Sequence, residues 1–547
     1  MMDNKWWHNA VIYQIYPRSF QDSNDDGIGD LQGIISRLDY LHELGIDAIW
    51  LSPVCKSPQD DNGYDISDYQ DIDPIFGTLN DMRDLISEGK KRNIRIILDL
   101  VLNHCSDEHP WFIKAKKNRD NPYHDYYIWR NGTEGSLPND MKAIFGGSMW
   151  EFVPGLGQYY FHQFSVKQPD LNWENPKLRQ EIYVMINWWI ELGVGGFRLD
   201  VIDQIAKEPD CYITANGPRL HEYLREMNTN CFHNKDLVTV GEAWGSTTDI
   251  AKLSSNPDGS ELSMVFQFEH ILLDSIPGKA KWDLAPLPLQ KLKEVTFKWQ
   301  KELYGEGWNS LFWCNHDLPR IVSRWGSDTE YRIESAKMLA TLLHGMQGTP
   351  YIYQGEELGM TNIAFQSISD YRDIETINMH SERLEAGYHE SDIMNSIYAR
   401  GRDNARTPMQ WDDSDNAGFS SSEPWIKVNP NYRDINACQQ LMDDNSVFHH
   451  YKKLITLRKQ YPIFVLGEYE PILLEYNDIF AYTRKYENQR LVVICNFYEK
   501  HMYLSLDMLI HNKSKLLLSN YSKTTDVILG LLKFRPYEAV IFLDCIE

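Results

Sequence analysis

The sequence predicts an α/β fold: a (β/α)8 TIM barrel with a loop-rich insert after strand three and a C-terminal antiparallel β-sandwich. Eight short apolar runs, rich in β-branched residues, alternate with helix-like segments through most of the chain. Strands that are apolar on both faces are typical of parallel sheets covered by helices, and eight such units favour a closed barrel over a doubly wound open sheet. Towards the C-terminus polar and apolar residues alternate in short runs, which is typical of antiparallel sheets.

The predicted barrel strands follow one another in a regular order. They comprise residues 11–17, 46–53, 94–104, 195–200, 237–243, 264–270, 309–317 and 348–357. Between the first two, residues 31–44 carry apolar side chains at helical spacing and are predicted as a helix. Later helices have start signals: Thr78 with Asp81 resembles a capping box, and Asn175 precedes Pro176 as an N-cap precedes a proline at the first helical position.

Two regions interrupt this alternation and define the predicted domains. Residues 1–104 and 174–468 form the barrel domain. Residues 105–173 are aromatic, rich in glycine and loop-like, and they are predicted as a small insert. Residues 469–547 are predicted as the β-sandwich.

Composition excludes several classes of partner. The net charge of −24 excludes the basic surface that nucleic acid requires. We find no apolar stretch of a length that spans a membrane, and the N-terminal residues lack the features of a signal peptide. The eight cysteines are scattered without a CxxC pair, which indicates reduced thiols and a cytoplasmic protein. We expect a monomer or weak oligomer.

Charged and polar residues stand at the C-terminal ends of four predicted strands, where barrel enzymes place their chemistry. They are Asn103 and His104, Arg198 and Asp200, Glu242, and Asn315, His316 and Asp317. Any one of these residues could be a structural ion pair or a helix cap. Four strands with this feature together predict one shared site.

Convergent carboxylates suit the cleavage of a glycosidic bond, in which one carboxylate attacks the anomeric carbon and a second, protonated, acid supplies a proton. Arg198 lies two residues before Asp200 on the same face of the strand, so we expect it to keep Asp200 ionised as a nucleophile. Glu242 has no adjacent cation in the sequence, so we expect a raised pKa that suits a general acid. Asp317 is the third acid.

Four sequence motifs resemble the signature regions of the α-amylase superfamily of glycoside hydrolases. They are DLVLNH (99–104), GFRLD (196–200), GEAW (241–244) and NHD (315–317), and the resemblance extends over nearly the whole chain. It implies that Asp200 is the nucleophile, that Glu242 is the acid/base and that Asp317 stabilises the transition state. It also implies retention of anomeric configuration through a covalent glycosyl-enzyme, with no cofactor for catalysis.

Within that superfamily, DNGYDISDY (61–69), QPDLNWENP (168–176), MVFQFEH (264–270) and GRDNARTPMQWD (401–412) resemble the oligo-1,6-glucosidase and dextran-glucosidase group. This resemblance implies an exo-acting α-glucosidase that releases glucose from the non-reducing end of small α-1,6-linked oligosaccharides. It implies that an ion pair between Asp61 and Arg402 closes the pocket behind the terminal glucose.

The same resemblance implies roles for residues around the two sugar rings. Tyr64 stacks under the terminal ring, whose hydroxyls bind His104 and His316. Phe145 and Phe164 line the entrance or, alternatively, pack in the core of the insert. Val201 is similar to members that cleave α-1,6 bonds, and three residues match positions that bind the next glucose: Trp244, Lys281 and Glu375. The alternatives for the last two are a surface lysine and a helix cap.

The motif DSNDDGIGD (22–30) is a candidate metal site. Its oxygen donors at alternate positions are Asp22, Asn24, Asp26, the carbonyl of Ile28 and Asp30, and hard oxygen ligands suit Ca²⁺. Relatives carry Ca²⁺ or Mg²⁺ there, so the resemblance implies a structural ion. A solvated Asp/Gly turn is the alternative.

Rival functions remain. FWCNHD (312–317) and SPQDDNGYDI (57–66) also resemble trehalose-6-phosphate hydrolase, whereas GEAWG and KWDL favour the dextran-glucosidase group. An α-glucosidase of broader preference, acting on α-1,4 bonds or sucrose, is a second rival. The RLDRD string associated with sucrose isomerases is absent. A non-catalytic relative associated with amino-acid transporters has a membrane helix and lacks the acids that this chain keeps.

Overall fold

Eight parallel strands form a closed barrel in the computed structural model, which describes residues 5–505, 514–522, 527–528 and 531–545. The strands are β1 (Ile12–Ile15), β2 (Ala48–Leu51), β3 (Arg95–Val101), β4 (Gly196–Asp200), β5 (Val238–Glu242), β6 (Met264–Phe266), β7 (Ser310–Leu311) and β8 (Thr349–Tyr353). Each strand pairs with its neighbours in the chain, and β8 pairs with β1. A parallel bridge between Val265 and Asn309 joins β6 to β7 and closes the barrel. The predicted TIM barrel is confirmed.

Helices cover the outside of the barrel. Those that follow successive strands are Leu31–Ser36 and Leu38–Leu44, Leu79–Lys91, Pro176–Leu192, Leu220–Met227, Thr248–Ser254, Leu289–Glu302, Ile321–Trp325 and Arg332–His344, and Val447–Gln460. Shorter or peripheral helices are Trp6–Asn9, Pro110–Ala115, Ile374–Glu385, Glu390–Arg400, Asp403–Arg406, Ala437–Met442 and Ile463–Leu466. The predicted helix 31–44 is two helices, because Arg37 leaves helical geometry with a ψ of 6°.

The insert between β3 and its helix contains more regular structure than its loop-like sequence indicates. A three-stranded antiparallel sheet comprises Trp129–Asn131, Trp150–Val153 and Gln158–Phe161, with the last strand in the middle. Aromatic side chains from the strands form a small separate core. An ion pair of 2.6 Å between Lys207 and Asp170 fastens the insert to the barrel next to the site.

The C-terminal region forms two antiparallel sheets that enclose their own apolar core. The five-stranded sheet comprises Glu468–Ile472, Ile479–Tyr486, Gln489–Asn496, Ala539–Cys545 and Lys515–Ser519. The three-stranded sheet comprises Met502–Ser505, Leu531–Phe534 and Val527–Ile528. The predicted β-sandwich is therefore present. Among the described residues, no helix combines the length and apolar character needed to cross a membrane.

Candidate active site

The carboxyl ends of the barrel strands open into a pocket of about 390 Å³, within the size range of small-molecule sites. The pocket is lined by Asp61, Tyr64, His104, Ile144, Phe145, Phe164, Asp200, Val201, Gln204, Glu242, Trp244, Lys281, Asp317, Leu318, Glu375 and Arg402. It therefore brings together the three predicted catalytic acids and all the predicted substrate-binding residues except Arg198 and His316. Those two lie directly behind the pocket wall.

Arg198 links the acids of neighbouring strands. Its buried guanidinium lies 2.8 Å from Asp99, 2.6 Å from Asp200 and 2.6 Å from Glu242. The expectation that Glu242 has no adjacent cation is wrong. Val240 of β5 is opposite Arg198 of β4, and Glu242, two residues further on, faces the same side of the sheet.

The protonation of this cluster also differs from the prediction. Burial raises the pKa of Asp200 well above its usual range, the negative charge of Glu242 and Asp99 raises it further, and Arg198 opposes both effects without cancelling them. Burial also raises the pKa of Asp99 to about 6. The pKa of Asp200 is therefore raised despite Arg198, whereas the sequence led us to expect that Arg198 keeps it low. Three carboxyl groups share this one guanidinium.

The backbone of Val201 helps to hold Glu242. Val201 has a φ of 35° and a ψ of 44°, a left-handed conformation that is strained for a β-branched residue. In this conformation its N–H donates a hydrogen bond of 3.1 Å to Glu242 Oε2. Trp244 Nε1 donates another of 3.1 Å to Glu242 Oε1. The strained turn after Asp200 therefore orients Glu242.

Two guanidinium groups and the ring of His316 contact Asp317 and favour its ionised state. Arg402 Nη1 lies 3.2 Å and Arg406 Nη2 2.8 Å from its Oδ1, and His316 Nε2 lies 3.1 Å from its Oδ2. Burial acts to raise the pKa of Asp317, but these groups outweigh it and hold the pKa well below its usual range. Sequence reasoning missed Arg406, although it stands within the motif GRDNARTPMQWD.

Arg402 contacts Asp61, as the family resemblance implies, but this is one of several ion pairs. The Asp61–Arg402 distance is 3.3 Å, whereas Asp373 approaches Arg402 to 2.5 Å. Burial raises the pKa of Asp61 to about 7, even though Arg402 opposes this shift. Sequence reasoning missed Asp373, and its only signal is its place two residues before Glu375.

His104 and Tyr64 belong to the lining of the pocket, and His316 lies directly behind it. Tyr64 Oη lies 2.5 Å from His316 Nε2 and donates a hydrogen bond of 3.1 Å to Asp99. Burial lowers the pKa of His316 to about 3 and that of His104 to about 4, so both rings are neutral at pH 7. Gln168 Nε2 lies 3.2 Å from His104 Nε2. Neutral imidazoles can donate to or accept from sugar hydroxyls.

Aromatic rings and an ion pair surround the mouth of the pocket. Phe145 and Phe164 lie 5.6 Å apart between ring centroids. Lys281 contacts Glu375 at 2.5 Å, so it is a paired side chain of the pocket wall rather than a free surface lysine. Trp244 is 38% exposed and stacks on Phe268 with the planes 10° apart, which leaves a flat apolar surface at the mouth.

The loop of the candidate metal site lies outside the pocket lining. Asp22 Oδ1 accepts from the N–H groups of Asn24 and Asp25, each at 2.9 Å, and Asp26 Oδ1 accepts from that of Ile28 at 2.8 Å. Asp30 caps the helix Leu31–Ser36 through Gly33 N. Within the described part of the chain, no group of three or more His, Cys, Asp or Glu side chains is arranged to hold a metal ion.

The chain is similar to known proteins over almost its whole length. Residues 14–467 match the model of the alpha-amylase catalytic domain, and residues 479–541 match that of the alpha-amylase SusG C-terminal domain. The chain is 56% identical to the oligo-1,6-glucosidase of Parageobacillus thermoglucosidasius, with 99% of each chain covered. It is 57% identical to the glucan 1,6-alpha-glucosidase of Streptococcus pneumoniae, with 96% of this chain and 97% of the relative covered.

The trehalose-6-phosphate hydrolase of Bacillus subtilis is 49% identical, with 98% of each chain covered. Among solved structures, the trehalose-6-phosphate hydrolase of Bacillus licheniformis superposes with a TM-score of 0.94 at 46% identity, and the match covers 99% of this chain and 100% of the other.

Proposed function

The chain belongs to the alpha-amylase family of glycoside hydrolases, and from this premise we propose that it is an exo-acting α-glucosidase specific for α-1,6 bonds. It releases glucose from the non-reducing end of isomaltooligosaccharides and dextran fragments. The observation that carries this proposal is the single pocket that Asp200, Glu242 and Asp317 line together with the Asp61–Arg402 ion pair. The similarity to oligo-1,6-glucosidases and glucan 1,6-alpha-glucosidases supports the linkage.

Two steps with retention of configuration account for the reaction. Asp200 attacks the anomeric carbon while Glu242 gives its proton to the leaving oxygen, and a covalent glucosyl-enzyme forms. Water, activated by the Glu242 carboxylate, then breaks this bond from the same side. The contact of both acids with one guanidinium, at 2.6 Å each, supports the close spacing that a retaining mechanism needs. Asp317, ionised by its cations, stabilises positive charge on the ring in the transition state.

The binding of one terminal glucose explains the exo action. Its hydroxyls bind His104, His316 and Asp317 over the Tyr64 ring, and the Asp61–Arg402 pair blocks extension of the chain beyond it. The next glucose lies against Trp244, between Val201 and the Lys281–Glu375 pair. Phe145 and Phe164 line the entrance.

Trehalose-6-phosphate hydrolysis is the second candidate, because such enzymes are similar over the whole chain. A phosphate needs free cations. Among the described pocket-lining residues the lysine and arginine side chains are Lys281 and Arg402, and both are ion-paired with carboxylates. This favours a neutral substrate.

A product time course distinguishes the candidates. The enzyme is incubated separately with isomaltose, isomaltotriose, panose, maltose, sucrose and trehalose 6-phosphate, and kcat/KM is determined for each. We expect isomaltose and isomaltotriose to be the best substrates, with glucose as the first product. If kcat/KM for trehalose 6-phosphate exceeds that for isomaltose, the second candidate replaces the proposal. If kcat/KM for maltose or sucrose exceeds that for isomaltose, the enzyme accepts a broader range of linkages.

We also propose that loop 22–30 holds a structural Ca²⁺ or Mg²⁺ away from the chemistry. The donor set of Asp22, Asn24, Asp26, Asp30 and the Ile28 carbonyl consists of hard oxygens, which suits these ions. Chelation with EDTA should lower Tm, and one of the two ions should restore it. An unchanged Tm, with no metal in the purified protein by elemental analysis, would leave the loop as a solvated turn.

Domain limits and cellular setting complete the proposal. We propose the division into residues 1–104 with 174–468, 105–173 and 469–547, and a monomer or weak oligomer in the cytoplasm. The eight cysteines are unpaired, and most are buried, which supports a reducing compartment. Titration of the thiols in unfolded protein from its natural host tests whether the cysteines are reduced. Light scattering of the native protein tests the oligomeric state.

A further inference from the structure

Asp203 is a buried acid beside the site whose role the mechanism above does not include. It stands three residues after the nucleophile, in the short turn Ile202–Gln204, and is only 1% exposed. Its Oδ2 accepts a hydrogen bond of 2.9 Å from the N–H of Gly245, and its Oδ1 has no partner among the described residues. No lysine, arginine or histidine pairs with it in this part of the structure.

The contact with Gly245 is one half of a clamp. The backbone carbonyl of Asp203 accepts from the N–H of Asn216 at 2.6 Å, and Asn216 Nδ2 in turn donates to the carbonyl of Gly245 at 3.0 Å. Both sides of the Gly245 backbone are therefore tied to the turn that follows the nucleophile. Gly245 directly follows Trp244, whose Nε1 donates to Glu242 Oε1.

From this geometry we infer that Asp203 is a positioning residue, which fixes the turn Trp244–Gly245 and thereby orients Glu242 and the wall of the acceptor site. The inference rests on the proposed function, because it takes Glu242 as the acid/base and Trp244 as part of the site for the leaving sugar. It goes beyond that function because it assigns the orientation of Glu242 and Trp244 to Asp203, a residue that lies outside the pocket lining.

The charge of Asp203 also acts on Glu242. Glu242 is the charged group that faces Asp203, and its neighbours Gln204 and Asn216 are neutral. Burial, together with the charge of Glu242, raises the pKa of Asp203 to about 7, so it ionises near neutral pH. The charge of Asp203 therefore changes beside the proposed acid/base near neutral pH, and a pH profile of activity reports this titration.

Two variants separate the hydrogen bond from the charge. Asp203→Asn keeps an acceptor for Gly245 N–H and removes the charge, whereas Asp203→Ala removes both. Asp249→Asn is the matched control, because Asp249 is an exposed acid on the helix Thr248–Ser254. Each variant is assayed against pH with isomaltose and with p-nitrophenyl α-glucoside, whose leaving group needs little help from an acid.

With isomaltose, we expect Asp203→Ala to lower kcat/KM about 10- to 100-fold, the range lost when a general acid is misplaced. The loss with the aryl glucoside should be several-fold smaller. Asp203→Asn should recover most of the activity, and its pH profile of kcat/KM should lack the titration of Asp203 near neutral pH. The control should match the wild type.

An Asn variant with the wild-type pH profile would refute the effect of charge, and equal losses of the Ala variant on both substrates would refute positioning of the acid. If the Ala variant fails to fold, Asn216→Gly, which removes the other side-chain hydrogen bond to Gly245, replaces it in the comparison of the two substrates. Failure of the proposed function can be distinguished from failure of this inference. A wild-type enzyme that is active on the aryl glucoside but inactive on isomaltose would contradict the α-1,6 assignment. The pH profile measured with the aryl glucoside would still test Asp203.

Discussion

The change Val201→Thr tests whether the residue after the nucleophile selects the linkage. Val201 is 5% exposed and lines the pocket beside Asp200 and Glu242. An α-1,6 bond places a methylene group between the two rings, and an apolar side chain at this position suits that group. Threonine replaces one methyl by a hydroxyl and keeps the β-branch, so the strain of the left-handed backbone stays the same.

The magnitude follows from two effects. Loss of one methyl contact with the methylene weakens binding of isomaltose by about 0.8 kcal/mol. A buried hydroxyl without a partner costs about 1 kcal/mol or more, but the acceptor ring of maltose can offer it a hydroxyl. Together they predict a fall of about 10- to 30-fold in the ratio of kcat/KM for isomaltose to that for maltose, because 1.4 kcal/mol is a factor of ten.

Steady-state kinetics on both disaccharides measure this ratio, and Val201→Ala is the control. Alanine removes the methyl contacts without adding a hydroxyl, so activity on isomaltose should fall and activity on maltose should not rise. A Thr variant with the wild-type ratio and an unchanged Tm would refute Val201 as the selector. A ratio that shifts equally in the Ala variant would attribute the effect to space alone.

Three further predictions follow from the ion pairs and buried acids. Asp200→Asn and Glu242→Gln should each lower turnover on isomaltose by about 10³-fold or more while circular dichroism and Tm stay close to the wild type; near-wild-type turnover in either variant would refute its role. Arg402→Met should raise KM for isomaltose at least about tenfold and lower Tm, because it leaves the buried Asp61 without its cation, a loss of roughly 3–5 kcal/mol; an unchanged KM would show that the ion pair does not close the pocket. Glu356→Gln should raise Tm at pH 8 and change it little at pH 5. Burial raises the pKa of Glu356 to about 7, so the folded state binds more protons than the unfolded state between about pH 4.5 and 7 and stability falls as pH rises through that window. The glutamine keeps an acceptor for Tyr451, which donates to Glu356 Oε1 at 2.8 Å, and equal Tm differences at both pH values would contradict the reasoning.

The barrel could be predicted because each of its strands is buried on both faces and therefore reads as an apolar run. Strand ends were less predictable. Residues 309–317 were expected to form one strand, but β7 ends at Leu311, because the following residues leave the sheet to present Asn315–Asp317 at the mouth. The sheet of the insert was missed, since its aromatic and glycine-rich sequence does not alternate regularly.

The residues of the site could be predicted where they stand at strand ends, and their contacts could not. The approach of Arg198 to Glu242 depends on the register of β4 against β5, and this register cannot be predicted from the sequence of either strand. Asp373 and Arg406 approach the site through ion pairs with residues distant in the chain, and no spacing rule reveals such pairs. The sequence therefore predicts which residue types form the site, whereas the charged groups around each of them are known only from the structure.

Trapping the covalent intermediate tests the account most directly. The enzyme is treated with 5-fluoro-α-glucosyl fluoride, digested and examined by mass spectrometry, with Asp200→Asn as the control. We predict a single labelled peptide that carries the sugar on Asp200 and is absent from the control. A label on another acid, or rapid hydrolysis with inverted configuration and no adduct, would contradict the assignment of the nucleophile.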